Sequence, residues 1–542
     1  MENSDLSESG RKKRVDALLL GLILLFLLAM MLRNVDAPLL DRHAWRQVDT
    51  ASFARGLARG DFDVFHPTFL AYYPDAYGIE GAVETEFNFY PLVVAALYKV
   101  FGVHELLARL VSIACALGTA VWVYLLGRRY LDRPAGFLAA LFLGLSPLYL
   151  FYSRTVQPEA MVLFLSLGAL YFFTSWLESE HWAPYIAAIL FAATAFLTKI
   201  PSLYMGLPLL GAAWMRYRRH LFRDWRIWLF GAATLLPMVA YYLHAHSLYQ
   251  ESGLTVYGIS GGWPGSGKFD TWGQLLSTGF YRVMLVRFRG IILGRYGFLL
   301  MLLGLAIVPR KKGQWVLYVW LAAVALFVLG VAQGNRQHEY YQLPVVPVAA
   351  LFVGKALSVI LRPDTLRLEI FVFRRYVGSL LVMLLLLVSL RNALPLLDPM
   401  YAQTKGLLDV AAATRQFTPK GEPIAVLYDW ARVPEVFYYA DRRGWALWLE
   451  RTPEGEYGRL IIAERERTPG GWKIQERLEE DIQRIELLRS QKASSLVVSL
   501  EKGTAQEFMR STIGESLSSR YPLVASAEHW LIYDLMPPAN SQ

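Results

Sequence analysis

The chain has 542 residues, of which 55% belong to the apolar set AVILMFWYC and only 18% are charged. That balance excludes an ordinary soluble globule. The formal charge of +9 sits in short Lys/Arg clusters, so it reads as membrane orientation and not as a nucleic-acid surface. The single cysteine, Cys115, excludes an intramolecular disulfide and a multi-cysteine metal cluster.

In chain order, apolar runs mostly of about 17–22 residues predict about eleven membrane-spanning helices. They cover 15–33, 106–127, 134–151, 159–177, 183–199, 203–215, 227–246, 290–308, 314–332, 343–361 and 377–395. The weakest are 183–199 and 203–215, short and separated by Pro201. The first run follows Arg11–Arg14 and has no small-residue cleavage site after it, so it reads as an uncleaved anchor. Placing Arg11–Arg14 in the cytoplasm also places Arg128-Arg129, Arg216/Arg218/Arg219, Arg310–Lys312 and Arg362–Arg375 there. Glu178–Trp182 is the acidic exception, and acidic residues weigh little in this rule. The other side receives the loop 34–105, the turn "YSRTVQPE", the turn at Lys199-Ile200-Pro201, the loop 247–289, the turn "GNRQHEYYQLP" and the tail 396–542. The polar, aromatic-rich loops thus collect on the outer face.

The first outer loop opens with "DRHAWRQVDTASFAR". Asp41 predicts a helix N-cap and Gly60 its stop. At 3.6 residues per turn, Ala44, Val48, Ala51 and Ala58 share a small apolar face. Trp45, Asp49 and Phe53 form a stripe on the other side, beside Arg46 and Thr50. The prediction is an amphipathic helix near the interface, with a carboxylate between two rings. The alternative is an ordinary surface pair, Arg46 with Asp49. In the tail, "EPIAVLYDW", "WALWL", "SSLVVSL" and "HWLIYDL" predict strands. "VPEVFYYADRRG" and "GTAQEFMRSTIGESL" predict helices between them. The fold expected is therefore a polytopic α-helical membrane module over 1–395 and a soluble α/β domain over 396–542.

Several stretches, in order, carry a resemblance: "DRHAWRQVDTASFAR", "ETEFNFYPLVVAALYKVFGVHELLARLVS", "YSRTVQPEAMVLFLSLGALYFF", "FLTKIPSLYMGLPLL" and "HEYYQLPVVPVAALFVG". Over about 1–395 the chain resembles the membrane glycosyltransferases of the C superfamily. Within it, the chain is similar to the bacterial branch that resembles protein O-mannosyltransferases and the lipid A aminoarabinose transferase. "VFYYADRRGWAL" in the tail is a phrase such relatives often carry. The resemblance implies a polyprenyl-phosphate-linked sugar donor, inversion at the anomeric carbon, and a carboxylate in the first outer loop that activates the acceptor hydroxyl. The family's usual Asp-Glu pair is absent from the matching helix. Asp49 is favoured as its equivalent over Asp41, to which a capping role is already assigned.

An acceptor hydroxyl needs a base to take its proton. Asp49 between aromatic rings suits that task, with Glu86 or Glu84 in "ETEFN" as a second carboxylate. The leaving phosphate needs cations in a water-poor site; Arg46, Arg154, Lys199, Arg336 and His338 are candidates. His43, Gln47, Glu159, Tyr340 and Tyr341 complete the expected substrate-binding set. Each has a plainer reading. Lys199 can snorkel to headgroups, and Tyr340-Tyr341 can belong to an interfacial aromatic belt. His43 and His338 can be hydrogen-bonded structural residues, and Glu159 can serve the dipole of its helix's first turn. "GWPGSGKF" (Gly262–Phe269) mimics a phosphate-binding loop but ends in Phe where Ser or Thr should hold magnesium, and reads as a glycine-rich outer loop, a lid over the site.

The function expected is transfer of a sugar from a polyprenyl-phosphate donor to an envelope lipid, glycan or protein at the outer face of the cytoplasmic membrane. The N-terminus is then cytoplasmic and the tail extracytoplasmic. A transporter or lipid flippase is the alternative; such proteins show related halves and broken helices at the midplane, and no internal repeat is visible. A scaffold whose tail binds a partner is a third reading. No metal-ligand spacing stands out, so no cofactor is expected, although some relatives in the superfamily use a divalent metal. The partners expected are the lipid-linked donor, membrane lipid and an unknown envelope acceptor, with no nucleic acid.

Overall fold

The computed structural model describes residues 2–72, 81–256, 271–362, 371–404, 406–429, 434–451, 457–461 and 475–536. The glycine-rich stretch Gly262–Phe269 lies outside them. Every one of the eleven predicted apolar runs is largely helical, but their lengths differ from the prediction. Helix α1 (Glu2–Met31) leads into α2 (Ala44–Arg59), a two-residue strand β1 (Ala71–Tyr72) and a short helix α3 (Phe89–Phe101). Then come α4 (Glu105–Tyr130), α5 (Arg133–Leu143), α6 (Pro147–Tyr152), α7 (Glu159–Ser179), α8 (Trp182–Thr198), α9 (Gly206–Tyr217) and α10 (Trp225–Ser252). The second half holds α11 (Thr271–Leu275), α12 (Thr278–Arg287), α13 (Gly294–Ala306), α14 (Trp315–Gly330), α15 (Ala332–Gln337), α16 (Val345–Leu361) and α17 (Phe371–Leu397).

Among the described residues, six helices are long and apolar enough to cross a membrane, or seven if one bent pair counts as a span. The eleven predicted runs differ from these long helices for physical reasons. The run at 134–151 breaks at Ser146-Pro147, where Ser146 caps a new helix. The run at 290–308 starts at a 103° bend between Thr278–Ile292 and Gly294–Ala306. Helices such as α5, α8, α9 and α16 are 11–17 residues, at most about 26 Å at 1.5 Å per residue, short of a hydrocarbon core of about 30 Å. Small residues let the helices close up: a Cβ on Gly127 of α4 would lie 2.6 Å from the Gly136 Cα of α5.

The loops expected to share one side do meet at one end of the bundle. Asp132 pairs with Arg362 at 2.7 Å, Glu180 with Arg216 at 3.3 Å, and Asp16 with Arg133. The loops expected on the opposite side meet at the other end, and they build the site described below.

The tail forms the predicted α/β unit: α18 (Leu407–Phe417), β2 (Ile424–Tyr428), α19 (Glu435–Ala440), β3 (Gly444–Arg451), β4 (Tyr457–Ile461), α20 (Gln475–Ser490) and β5 (Ser495–Ser499), then α21 (Ala505–Met509), α22 (Thr512–Arg520), β6 (Leu523–Ala527) and β7 (Trp530–Asp534). Strand order is β1-β3-β2-β5-β7-β6, with β4 on β3. The parallel centre, β3-β2-β5, reads as continuous apolar runs because helices and loops cover both faces. Gly444 opens β3 at φ +152°, where a Cβ would lie 1.8 Å from the Ile424 carbonyl oxygen, so only glycine fits.

The sheet is not made by the tail alone. Strand β1 of the loop after α2 pairs with β3, Ala71 opposite Gly444. Leu40, Phe53, Phe69 and Val83 join the apolar core of the tail, while Val48, Ala51, Ala54 and Ala58 join the core of the bundle. Helix α2 is therefore sandwiched between the two cores, with 13 buried residues. This corrects the expectation of an interfacial helix with one wet face: the polar side is covered by the tail.

Candidate active site

Asp41 is not the cap of α2. That position belongs to His43, at φ 57° and without a side-chain cap bond. Asp41 instead accepts from Arg154 at 2.5 Å and from Gln47 at 2.6 Å. Both members of the Asp41–Arg154 pair are 0% exposed in their side chains. Arg154 also donates to the Asn34 carbonyl at 2.8 Å and lies 4.4 Å over the Tyr401 ring. Arg109 donates to the Val35 and Ala37 carbonyls of the same loop. A fully desolvated charge needs such a partner set, so these groups fasten the loop after α1. Arg154 and Gln47 thus hold Asp41 and the loop after α1 in place. Gln47 bridges Asp41 to the Val156 amide at 3.2 Å.

The remaining predicted residues form two groups on either side of Tyr340. In the first, Arg46 donates to Glu86, across from its own helix, at 2.6 Å. Arg46 and Glu86, 5% and 16% exposed in their side chains, line a cavity together with Thr50, Phe53, Asn88 and Thr198. Lys199 follows α8 in extended backbone, donates to Glu159 and sits 5.5 Å from the centres of both Tyr340 and Tyr341. Glu86 and Arg46 lie within its electrostatic reach. Lys199 and Glu159 stand in a second cavity of about 420 Å³ counting its open mouth, walled by Val162, Tyr204, Phe327 and Leu343. The snorkelling reading of Lys199 fails, since its side chain is 8% exposed.

The second group centres on Glu339, a residue the sequence reading passed over. Its carboxylate pairs with Arg42, lies 3.4 Å from His43 and 4.0 Å from Arg287, and accepts from the Tyr152 hydroxyl at 2.9 Å. Burial pushes its carboxyl up, but the hydrogen bonds and charges of His43 and Arg42 win and hold it well below the usual carboxylate range. His338 stacks on Tyr340 at 5.3 Å and lies 5.4 Å from the His43 ring. Arg336 is exposed and donates away from this group, to Gln274 at 2.6 Å.

Asp49 is 3% exposed and lies on the side of α2 that meets the tail, close to Glu435 of α19. Neither Asp41 nor Asp49 is among the described residues lining these two cavities; Glu86 lines the first of them. Burial pushes the Glu435 carboxyl from its ordinary 4.5 up to about 8, and the Asp49 and Glu501 charges add to the shift. The folded chain then holds this proton more tightly than the unfolded one. Its contribution to stability is full below about pH 4.5 and declines as pH rises toward about 8. Thermal unfolding of the full-length protein is expected to show that decline, and Glu435→Gln to flatten it; an unchanged slope in the variant would place the titration elsewhere.

A bundle of membrane helices with short helices and long loops, capped by a small mixed sheet that shares a strand with the first loop, defines a class. It is a fold shared with the solved structures of ArnT and of the archaeal oligosaccharyltransferase AglB, and the protein is a multi-pass membrane protein of that architecture. The profile of the family described as dolichyl-phosphate-mannose-protein mannosyltransferase matches residues 89–244. The structure is similar to ArnT from Cupriavidus metallidurans bound to undecaprenyl phosphate, at 14% identity and a TM-score of 0.57, covering 95% of this chain and 98% of that one. It is also similar to the Archaeoglobus fulgidus oligosaccharyltransferase in its apo form, at 15% identity and a TM-score of 0.59, covering 92% and 71%. The same archaeal enzyme, AglB, in complex with an inhibitory peptide and a dolichol-phosphate, matches at 14% identity and a TM-score of 0.58, covering 98% and 75%. No curated protein matches by sequence.

Proposed function

We propose that the protein transfers a sugar from a polyprenyl-phosphate donor to a hydroxyl of an envelope acceptor, with inversion, at the outer face of the cytoplasmic membrane. The observation that carries this reading is Glu86, a carboxylate lining a polar cavity with Arg46, next to an apolar cavity headed by Lys199. A lipid-linked sugar phosphate is an amphipath of that shape. Its chain suits the walls around Val162, Phe327 and Leu343, and its phosphate suits Lys199 and Arg46. ArnT binding undecaprenyl phosphate and AglB binding a dolichol-phosphate support the donor class.

In this reading Glu86 takes the proton as the acceptor oxygen attacks the anomeric carbon. The carbon–oxygen bond to the phosphate breaks, and its electron pair leaves with the polyprenyl phosphate. Cations held in a dry site stabilise that charge without reorganisation. Asp49 stands behind α2 as a buried structural carboxylate, and Asp41 holds the loop. Lys199 and Arg46 serve the phosphate; Glu159, Tyr340 and Tyr341 shape the donor pocket, with His43 and His338 beyond Tyr340. The N-terminus is cytoplasmic and the tail extracytoplasmic, and catalysis needs no divalent metal; an activity assay under chelation tests the last point. Mass spectrometry of envelope lipids and glycans from cells lacking the gene is expected to reveal a missing sugar on one acceptor. An unchanged glycan and lipid inventory would refute the proposal.

A further inference from the structure

Helix α2 carries the active-site lining past the reacting centre. Arg46, Thr50 and Phe53 line the cavity of Glu86. Phe53, Gly56, Leu57 and Gly60 line a further one, of about 470 Å³ counting its open side. These positions fall at i, i+4, i+7, i+11 and i+14, with Gly56 beside them, so one stripe of a single helix walls both spaces. Phe53 is common to both. The second cavity therefore abuts the first across the Phe53 ring.

Its lining differs in charge from the donor side. The first cavity holds Arg46 paired with Glu86 and the apolar one Lys199 paired with Glu159, so each carries a cation beside its carboxylate. The second is lined by Asp61, Asp63 and His66 and, among the described residues, by no Lys or Arg, with Lys99 standing 5.9 Å from the centre of the Phe62 ring. Asp63 accepts from the Phe65 and His66 amides at 2.9 and 3.2 Å and lies 2.7 Å from the His66 ring. The His66 hydrogen bond chiefly holds its carboxyl below the usual range, so the charge persists at neutral pH. Two aromatic rings, Phe53 and Phe62, supply apolar faces, and Gly56 leaves its part of the floor open, with no atom within 4 Å of where a Cβ would stand. Ring faces beside carboxylate acceptors suit the apolar faces and hydroxyl donors of a sugar. The same carboxylates repel phosphate and carboxylate groups.

We propose that this cavity at the C-terminal end of α2 is the acceptor subsite, and that it takes a hydroxyl-rich glycan that is uncharged or cationic, not a phosphate-bearing one. The proposal rests on the transferase reading. The test uses the full-length protein in nanodiscs with a radiolabelled polyprenyl-phosphate hexose. Envelope extract is separated by anion exchange into an unretained fraction and a retained, anionic one. Label is expected in the unretained fraction. Label in the retained fraction, or in neither while donor is consumed, overturns the proposal. Failure of the wild-type protein to bind undecaprenyl phosphate refutes the transferase reading instead. Two variants sharpen the test. Gly56→Phe projects a ring into the cavity from a helical position that tolerates any side chain better than glycine, and should raise the apparent KM for the acceptor fraction by about tenfold or more. Asp61→Lys should lower the preference for unretained over retained acceptor by about tenfold. Unchanged KM in the first and unchanged preference in the second would show that acceptor binds elsewhere.

Discussion

Glu86→Gln is expected to lower sugar transfer by about 10²–10⁴-fold, the range that a positioned general base supplies. The loss should fall on kcat, with donor affinity little changed, because glutamine keeps an oxygen that Arg46 can bond and keeps the volume of the cavity wall. Asp49→Asn is the matched comparison. Asp49 lies behind α2 against the tail, so its amide variant should change kcat by less than about tenfold, far below the range for a lost base. A rate assay with saturating lipid-linked donor checks both. The reverse order, Asp49→Asn inactive and Glu86→Gln active, would move the base to the other face of α2.

The second large effect is structural. Arg154→Ala leaves Asp41 without the guanidinium it touches, in a place with no solvent exposure. Removing one member of a buried ion pair costs about 3–5 kcal/mol, mostly because the other charge stays behind uncompensated. The variant also loses the contact over Tyr401 and the bond to the Asn34 carbonyl. The detergent-solubilised variant is expected to melt lower by roughly 3–4 °C, the shift that such a loss gives in a chain of 542 residues. Asp41→Asn combined with Arg154→Met should recover part of that loss, since no charge is then left unpaired. If Arg154→Ala melts like the wild type but binds donor poorly, the pair belongs to the donor site and not to the scaffold.

The positions of the helices were legible because apolar runs are a local signal. Their lengths were less so. The break at Ser146-Pro147 carries its own cap and proline, whereas the 103° bend is marked only by Gly294, at φ +67°, within an apolar run. The roles of the charged residues were hidden by distance along the chain. Asp41 looks like a cap to any local rule, yet its partner Arg154 is 113 positions away. Glu339 stands in a quoted motif, but its meaning lies in Arg42 and His43, nearly 300 residues earlier. Lys199 and Glu159 were chosen from their place at helix ends, and the structure joins them in one cavity. The tail's strands followed from their residue types, whereas β1, two residues long, has no pattern to read. It alone shows that the first loop and the tail share one sheet. Asp49 is favoured over Asp41 in the sequence because Asp41 reads as a cap; the cap is His43, and Asp49 lies near Glu435 of the tail, a contact no local pattern shows.

The central claim is that a lipid-borne sugar phosphodiester is broken beside Glu86, Arg46 and Lys199. Its most direct measurement is the fate of a doubly labelled polyprenyl-phosphate sugar incubated with the purified protein and envelope acceptor. Free polyprenyl phosphate and glycosylated acceptor are expected in equal amounts, with the anomeric configuration inverted, and both should vanish in Glu86→Gln. Movement of the intact donor across a vesicle membrane, with both labels still on one molecule, would contradict the account.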